Sequence, residues 1–378
     1  MNLLIPQLAF LIAFSMMFTT VQKTTQKSET QSVSTWVTTD DGQTQRIEIR
    51  GKAQFNDEYT DIVSVSEGGS VRVEEKRNGQ SRRYEVTRNA NGQLSRTYYV
   101  NGSAQPIDDN AKKWIAHLVL EAVRQGGFDA DVRVQRILRQ GGIKAVLAEI
   151  DLIHSDYAKR IYFQSLIKHG NLDVAGLQDL LRQAARQISS DYEQAELLLA
   201  IAPIMIGKEG ATNAYFSAVN TINSDYEHGR VLTAILKSVA PNRELLIQVA
   251  ESTKTIRSDY EKAGVLKRAA SVYIDDPALR KVFFQTISSI ESDYEHRGVL
   301  SALLKTKGLN SELLSSLLES ATTLSSDYEK ATFLLEASNA FSADPALKNA
   351  FLKAVESIKS EYERGRVLST LLKNKQIG

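Results

Sequence analysis

Seven times along the chain a hydroxyl, a carboxylate and a phenol stand side by side. They are Ser155-Asp156-Tyr157, Ser190-Asp191-Tyr192, Ser224-Asp225-Tyr226, Ser258-Asp259-Tyr260, Ser292-Asp293-Tyr294, Ser326-Asp327-Tyr328 and Ser360-Glu361-Tyr362. In six of the seven copies a second carboxylate follows: Glu193, Glu227, Glu261, Glu295, Glu329 or Glu363; the first copy has Ala158. Paired carboxylates can divide acid and base work, and a histidine beside a carboxylate can carry a proton. The five histidines are His117, His154, His169, His228 and His296. None pairs with another at a metal-ligand spacing. His228 and His296 occupy equivalent places 68 residues apart and so belong to a repeat. The chain has no cysteine, no Gly-x-Ser-x-Gly, no phosphate-binding loop and no dinucleotide fingerprint. The carboxylates of the seven copies lie on separate helix starts, which keeps them from forming one acid–base pair. The expectation is a chain without catalytic residues, metal or cofactor. A hydrolase with an unfamiliar site stays as an alternative; it would need a pocket joining two carboxylates, or a histidine and a carboxylate.

The same residues serve a structural purpose. A serine followed three residues later by glutamate is a capping box. Ser190/Glu193, Ser224/Glu227, Ser258/Glu261, Ser292/Glu295, Ser326/Glu329 and Ser360/Glu363 fit it. The serine oxygen accepts from the glutamate amide, and the glutamate side chain reaches back to the serine amide. The aspartate adds negative charge to the first turn, where the helix dipole favours it. Tyr157 and Tyr192 are 35 residues apart, and each later pair of tyrosines is 34 apart. A constant period of this length marks a stack of identical supersecondary units.

Within a unit, the fifth, sixth, ninth and tenth residues after the tyrosine are apolar. Val231, Leu232, Ile235 and Leu236 show it; so do Val299, Leu300, Leu303 and Leu304, and Val367, Leu368, Leu371 and Leu372. At 100° per residue they share one helix side. A break follows near Pro241-Asn242, Asp276-Pro277, Gly308 to Asn310 or Asp344-Pro345, the residues that open a second helix. An apolar residue stands two before every serine: Ile153, Ile188, Ile222, Ile256, Ile290, Leu324 and Ile358. Each unit therefore reads as two antiparallel helices. Odd and even units differ, as in Tyr226-Glu-His and Tyr294-Glu-His against Tyr260-Glu-Lys-Ala and Tyr328-Glu-Lys-Ala, which points to a 68-residue translational unit.

The tyrosine of each copy lies opposite the apolar stripe. Two readings follow. A solenoid must make contacts between repeats, so each ring is first expected to pack on the preceding unit's second helix, beside Gly229, Ala263, Ala331 or Gly365. The other reading is an exposed ladder, Tyr157, Tyr192, Tyr226, Tyr260, Tyr294, Tyr328 and Tyr362. Beside alternate rungs stand Lys159-Arg160, His228 with Arg230, His296 with Arg297, and Arg364 with Arg366. Such a face suits a peptide or an acidic partner.

Other parts of the chain frame these units. Residues 1–22, with the apolar run Leu3 to Phe18, read as a signal peptide or membrane anchor. No basic residue precedes the run, and Lys23 and Lys27 follow it, so a cytoplasmic-facing anchor is the alternative to export. Residues 23–35 read as a polar linker. Residues 36–107 read as an antiparallel β-meander, punctuated by Asp41-Gly42, Gly68-Gly69, Asn78-Gly79, Asn91-Gly92 and Asn101-Gly102. Residues 70–100 hold seven basic and three acidic side chains. Cross-strand ion pairs on a solvated face are the expected use of these charges. A formal net charge of +1 gives no drive toward nucleic acid. Residues 108–154 read as a helical cap, and 155–378 as the repeats. The fold class is α+β and multidomain: a small antiparallel β-meander followed by a right-handed α-solenoid of helical hairpins.

The 34-residue hairpins are similar to tetratricopeptide repeats without their Trp-x-x-Leu-Gly signature, and they also resemble HEAT-type solenoids. The Ser-Asp-Tyr-Glu units behind a β-meander resemble extracytoplasmic regions of β-lactam-receptor-type membrane metallopeptidase sensors. The peptidase His-Glu-x-x-His is not in this chain. That resemblance implies a place in the cell envelope and carries over no catalytic role. The expected function is a non-enzymatic scaffold that binds protein or peptide. The alternative is a sensory or regulatory module acting on a membrane partner.

Overall fold

The computed structural model describes residues 20–27, 32–40, 42–205, 207–238, 242–273, 276–307, 309–341 and 345–373. The apolar run Leu3 to Phe18 lies outside them. The chain divides into two compact units, Met1–Gly141 with Ala148–Tyr162, and Gly142–Leu147 with Phe163–Gly378.

The first unit holds a seven-stranded antiparallel sheet. Its strands are β1 (Thr20–Lys27), β2 (Ser32–Asp40), β3 (Gln43–Arg50), β6 (Ser70–Arg77), β7 (Gln80–Arg88), β8 (Leu94–Val100) and β9 (Ser103–Gln105), adjacent in that order. The short pair β4 (Ala53–Phe55) and β5 (Ile62–Val65) makes a separate hairpin inserted between β3 and β6. Among the described residues the sheet thus begins at Thr20, and strands cover 23–27 and 32–35 of the stretch expected to be a polar linker. Threonine and valine are β-branched and favour extended backbone, and a ladder of backbone hydrogen bonds needs no apolar side chains.

Two-residue turns at Asn78-Gly79 and Asn101-Gly102 close the β6–β7 and β8–β9 hairpins, with all four residues at positive φ. That conformation matches the twist of the flanking strands. The register aligns Trp36, Ile47, Val73, Tyr84 and Tyr98 in one row across five strands. All five are buried, together with Ile49, Val71 and Val86 of the next row.

Helix α1 (Asp109–Gly126) covers this face with Trp114, Ile115, Leu118, Val119 and Ala122. Asp108 caps it, accepting from the Ala111 amide at 2.8 Å, and Gly127 ends it in the left-handed region. Trp114 donates its indole N–H to Glu75 at 2.8 Å, and its ring lies 5.5 Å from that of Tyr98. Helix α2 (Ala130–Ile150) is broken at Gly142, where φ is 68°, into two consecutive helical segments. α1 and Phe128 share the sheet's core. The stretch expected to cap the repeats therefore serves first as the second layer of the β-unit, because a sheet with one apolar face must bury it.

The opposite face of the sheet is a charge lattice. Glu48 takes Arg46 and Arg50, each at 2.7 Å; Arg72 meets Glu74 at 3.2 Å; Arg83 meets Glu85 at 3.1 Å. Arg83 also lies 4.0 Å over the Tyr99 ring. Arg72, Lys76 and Arg83 thus pair with carboxylates on their own strands, and the expected cross-strand pairing shows at Arg72 with Glu85, 3.8 Å apart.

Thirteen further helices follow among the described residues. Each Ser-(Asp/Glu)-Tyr copy opens one: α3 (Asp156–His169), α5 (Asp191–Ile201), α7 (Asp225–Ser238), α9 (Asp259–Tyr273), α11 (Asp293–Leu304), α13 (Asp327–Phe341) and α15 (Glu361–Lys373). We call these A helices. The B helices between them are α4 (Val174–Gln187), α6 (Thr212–Val219), α8 (Arg243–Thr255), α10 (Pro277–Ile287), α12 (Ser311–Thr322) and α14 (Pro345–Glu356). From α5 onward each A helix packs on the next A helix, and B helices pair as α4 with α6, α8 with α10 and α12 with α14. This is an antiparallel sheet followed by helical-hairpin repeats.

All seven apolar residues placed two before each serine are buried. The stripe holds too, except that Leu236, Leu304 and Leu368 are half-buried and Leu372 is 63% exposed. The tenth position falls in the last turn of each of these A helices, which end at Ser238, Leu304 and Lys373. Asn242, Asp276 and Asn310 cap the B helices α8, α10 and α12 through their side chains.

Candidate functional site

The site is built from the helix starts of the A layer. Each serine accepts from the amide three residues on, at 3.3–3.4 Å, in all seven copies. The reciprocal arm of the expected capping box is replaced. From Ser224 onward, the serine amide donates to the aspartate of the preceding repeat. Asp191 accepts from Asn223 and Ser224 at 2.9 and 2.8 Å; Asp225 from Arg257 and Ser258 at 3.1 and 2.9 Å. Asp259 accepts from Glu291 and Ser292 at 3.0 and 2.7 Å; Asp293 from Ser325 and Ser326 at 3.0 and 2.6 Å; Asp327 from Lys359 and Ser360 at 3.1 and 2.7 Å. One carboxylate thus ties two orphan amides of the next helix. Although partial burial opposes it, these two amide bonds hold the Asp327 carboxyl below its ordinary range.

The glutamates freed from capping meet cations instead. Glu295 takes Lys267 at 2.8 Å, Glu363 lies 3.1 Å from Arg366, Glu227 lies 3.0 Å from Arg230, and Glu329 pairs with Arg297.

From Gln194 to Lys330 the residue two after the tyrosine turns inward and ties the hairpin. His228 meets Ser252 at 2.8 Å and His296 meets Ser320 at 2.9 Å. In the alternate units Lys262 and Lys330 donate to the carbonyls of Ser289 and Ser357, at 2.9 and 3.1 Å. This buried position carries the 68-residue alternation. His228 and His296 are 3% and 4% exposed, so neither belongs to the basic face expected of them. Burial lowers both pKa values, that of His228 to about 4, although Asp225 and Asp293 pull the other way.

The tyrosines point outward. Tyr192, Tyr226, Tyr260, Tyr294, Tyr328 and Tyr362 are 51–77% exposed, and Tyr157 is half-buried. The expectation that each ring packs on the preceding unit is overturned. The reason is that backbone ties and the apolar stripe already join the repeats, and the tyrosine lies opposite that stripe. Buried tyrosines do occur in the same stack. Tyr215 and Tyr273 are fully enclosed and donate to the carbonyls of Leu198 and Leu246.

The arginines beside the ladder are committed to it. Arg230 pairs with Glu196 and lies 5.8 Å over the Tyr192 ring; Arg297 pairs with Glu329 and Glu336 and lies 5.4 Å over Tyr294. Arg366 bonds Thr332 at 3.3 Å and lies 5.3 Å over Tyr328. They brace rings and neighbouring helices rather than offering free charge to an acidic ligand.

Between the rungs the surface is low. A cavity of about 310 Å³ lies beside Tyr226, lined by Leu199, Gly229, Arg230, Thr233, Ala234 and Val265 among others. Gly229 forms part of its floor; a Cβ there would stand 3.4 Å from a Glu261 oxygen. On the B side a second groove of about 450 Å³ opens between α10 and α12, with Arg280 paired to Glu312 at 2.6 Å.

Of the ladder residues expected from the sequence, Tyr192 to Tyr362 are exposed at the starts of the A helices, and Arg230, Arg297 and Arg366 lie over the rings of Tyr192, Tyr294 and Tyr328. Sequence reasoning missed the aspartate tie, whose signal was present: every such aspartate has a serine 33 residues later. It also missed Glu196 and Glu336, which stand at positions that vary between copies.

In the first unit, Asp129 is pushed up by burial although the Tyr59 hydroxyl donates to it at 3.0 Å. Glu149 is held low by Arg124 and Arg133, at 2.9 and 2.7 Å, against the effect of its burial. Among the described residues no group of three or more His, Asp or Glu side chains is arranged to hold a metal ion. None of their helices is long and apolar enough to cross a membrane. No family model, no curated protein and no solved structure matches the chain.

Proposed function

We propose that this protein is a non-enzymatic scaffold of the cell envelope that docks protein or peptide along the tyrosine face of its A helices. One observation carries the reading: six tyrosines in equivalent positions are each more than half exposed. Single exposed aromatics are ordinary, but a repeated row needs a purpose, since the repeats are already joined without these rings. Tyrosine is enriched where proteins dock, offering a large rigid surface with a polar tip at low entropic cost. The envelope assignment rests on the apolar run Leu3 to Phe18 and on the resemblance to extracytoplasmic regions of β-lactam-receptor-type sensors.

The test is site-specific photo-crosslinking in cells, with the reactive residue at Tyr260 on the A side or at Gln285 on the B side. The reading expects partner adducts from position 260 and none from 285; adducts from 285 alone would refute it. A reporter fused at the C-terminus tests location, and a cytoplasmic signal would remove the envelope assignment.

A second reading is a regulatory module acting on a membrane partner, in which the β-unit, with a core of its own, receives the signal. A single membrane protein among the adducts would select it over the scaffold.

A further inference from the structure

We propose that the occupant of the tyrosine face is a proline-rich segment in the polyproline II conformation, lying across the A helices with one turn per repeat. The proposal rests on the docking reading above and names the class of partner.

Spacing is the first ground. Successive A helices from α5 to α15 pack side by side, each presenting one exposed tyrosine near its start. Packed helices stand ~8–10 Å apart, so the rungs recur at about that distance. A polyproline II helix rises ~3.1 Å per residue with three residues per turn, which returns the same side chain every ~9 Å. A β-strand returns one every ~6.7 Å and an α-helix every ~5.4 Å, so neither keeps step with the rungs.

Shape is the second ground. Ala195, Gly229, Ala263 and Ala331 stand one helical turn beyond their tyrosines, and all four are buried. They leave shallow gaps between upright rings, and the cavity beside Tyr226 is one of them. Flat proline rings fill gaps of this kind against aromatic walls, and the phenol hydroxyls can donate to the solvated carbonyls of the peptide.

Charge is the third ground. Arg230, Arg297 and Arg366 are engaged by Glu196, Glu329, Glu336 and Glu363. These three arginines are therefore spent within the protein, while Lys237 and Arg268 also line the cavity beside Tyr226; a neutral, preorganised polyproline helix draws on none of these charges and loses little entropy on docking.

The test uses the full-length chain and fluorescence anisotropy with three labelled 15-residue peptides: (Ala-Pro-Pro) repeats, a Thr/Val-rich strand former and a Glu-rich sequence. The proline peptide is expected to bind best. Its affinity should rise at least about tenfold from two triplets to five, and fall when one extra residue is inserted between triplets to break the three-residue step. The triple variant Tyr226→Ala, Tyr260→Ala, Tyr294→Ala should weaken it at least about tenfold with an unchanged thermal melt, because these rings are exposed. Binding that ignores the triple variant or the inserted residue overturns the proposal, as does no binding. Tyrosine-dependent binding of the strand former or the acidic peptide in its place also overturns it, while sparing the docking reading, which the crosslinking experiment decides separately.

Discussion

Asp191 illustrates how much one side chain does in this molecule. As the first residue of α5 it was expected to complement the helix dipole; its two oxygens in fact hold the Asn223 and Ser224 amides of the next repeat. Asp191→Ala leaves both amides without that partner and should cost about 2 kcal/mol; Asp191→Asn, which keeps one acceptor, should cost about half as much. Urea denaturation of the two variants checks the order. His228 makes a second prediction at this scale. Its folded pKa of about 4 lies below the ordinary value of 6.5, so the unfolded chain takes up the proton first as the pH falls. Its contribution is therefore complete above pH 6.5 and is lost progressively toward pH 4. The loss is about 2 kcal/mol by pH 5, on the linkage relation for a single group. His296 adds in the same direction. Urea midpoints at pH 7.5 and 5.0 should differ more in the wild type than in His228→Gln.

At the scale of the element, the glycines inside A helices stand out, since each costs about 1 kcal/mol of helix propensity. Gly229 faces the cavity beside Tyr226. An added Cβ there meets a flexible carboxylate end at 3.4 Å, a neighbour that can give way. Gly229→Ala should raise the melting temperature, by roughly 0.5–1 kcal/mol of stability, and weaken docking on the tyrosine face. Gly298→Ala should gain less, because its Cβ would come within 2.9 Å of Lys267, which pairs with Glu295. Differential scanning calorimetry of the two variants compares them. Element boundaries were largely legible in the residues: serine caps, Asn242, Asp276 and Asn310 ahead of the B helices, and Asn-Gly at the hairpins. Strand β1 and the start of β2 were not, because a polar, threonine-rich strand lacks the apolar alternation that betrays its neighbours. The outward turn of the tyrosines was legible from the wheel, but repeat packing was expected to cover them, and the ties that made such cover unnecessary involve residues a whole period apart.

At the scale of the whole molecule, the two compact units differ in kind. The β-unit closes one core between sheet and α1, whereas the repeats pass their core from neighbour to neighbour. Phe283, enclosed in α10 with its ring 4.9 Å from that of Tyr273, tests the difference. Phe283→Ala should cost about 3–5 kcal/mol and, in a nearest-neighbour stack, loosen α8 to α12 first. Hydrogen exchange should then show faster amides in those helices while the sheet amides keep their protection; uniform loss would mean one cooperative fold. By itself the sequence determined that the C-terminal part is a row of helical hairpins, where each begins, and which face is apolar, since capping and periodicity are local and recur in every copy. Only the tertiary structure decided what the polar residues of each copy do. Whether an aspartate ties the next repeat, a histidine lies buried and neutral, an arginine is free or paired, or a tyrosine meets solvent depends on which helix lies alongside, and that is a matter of neighbours 24 to 38 residues away rather than of the residues beside it.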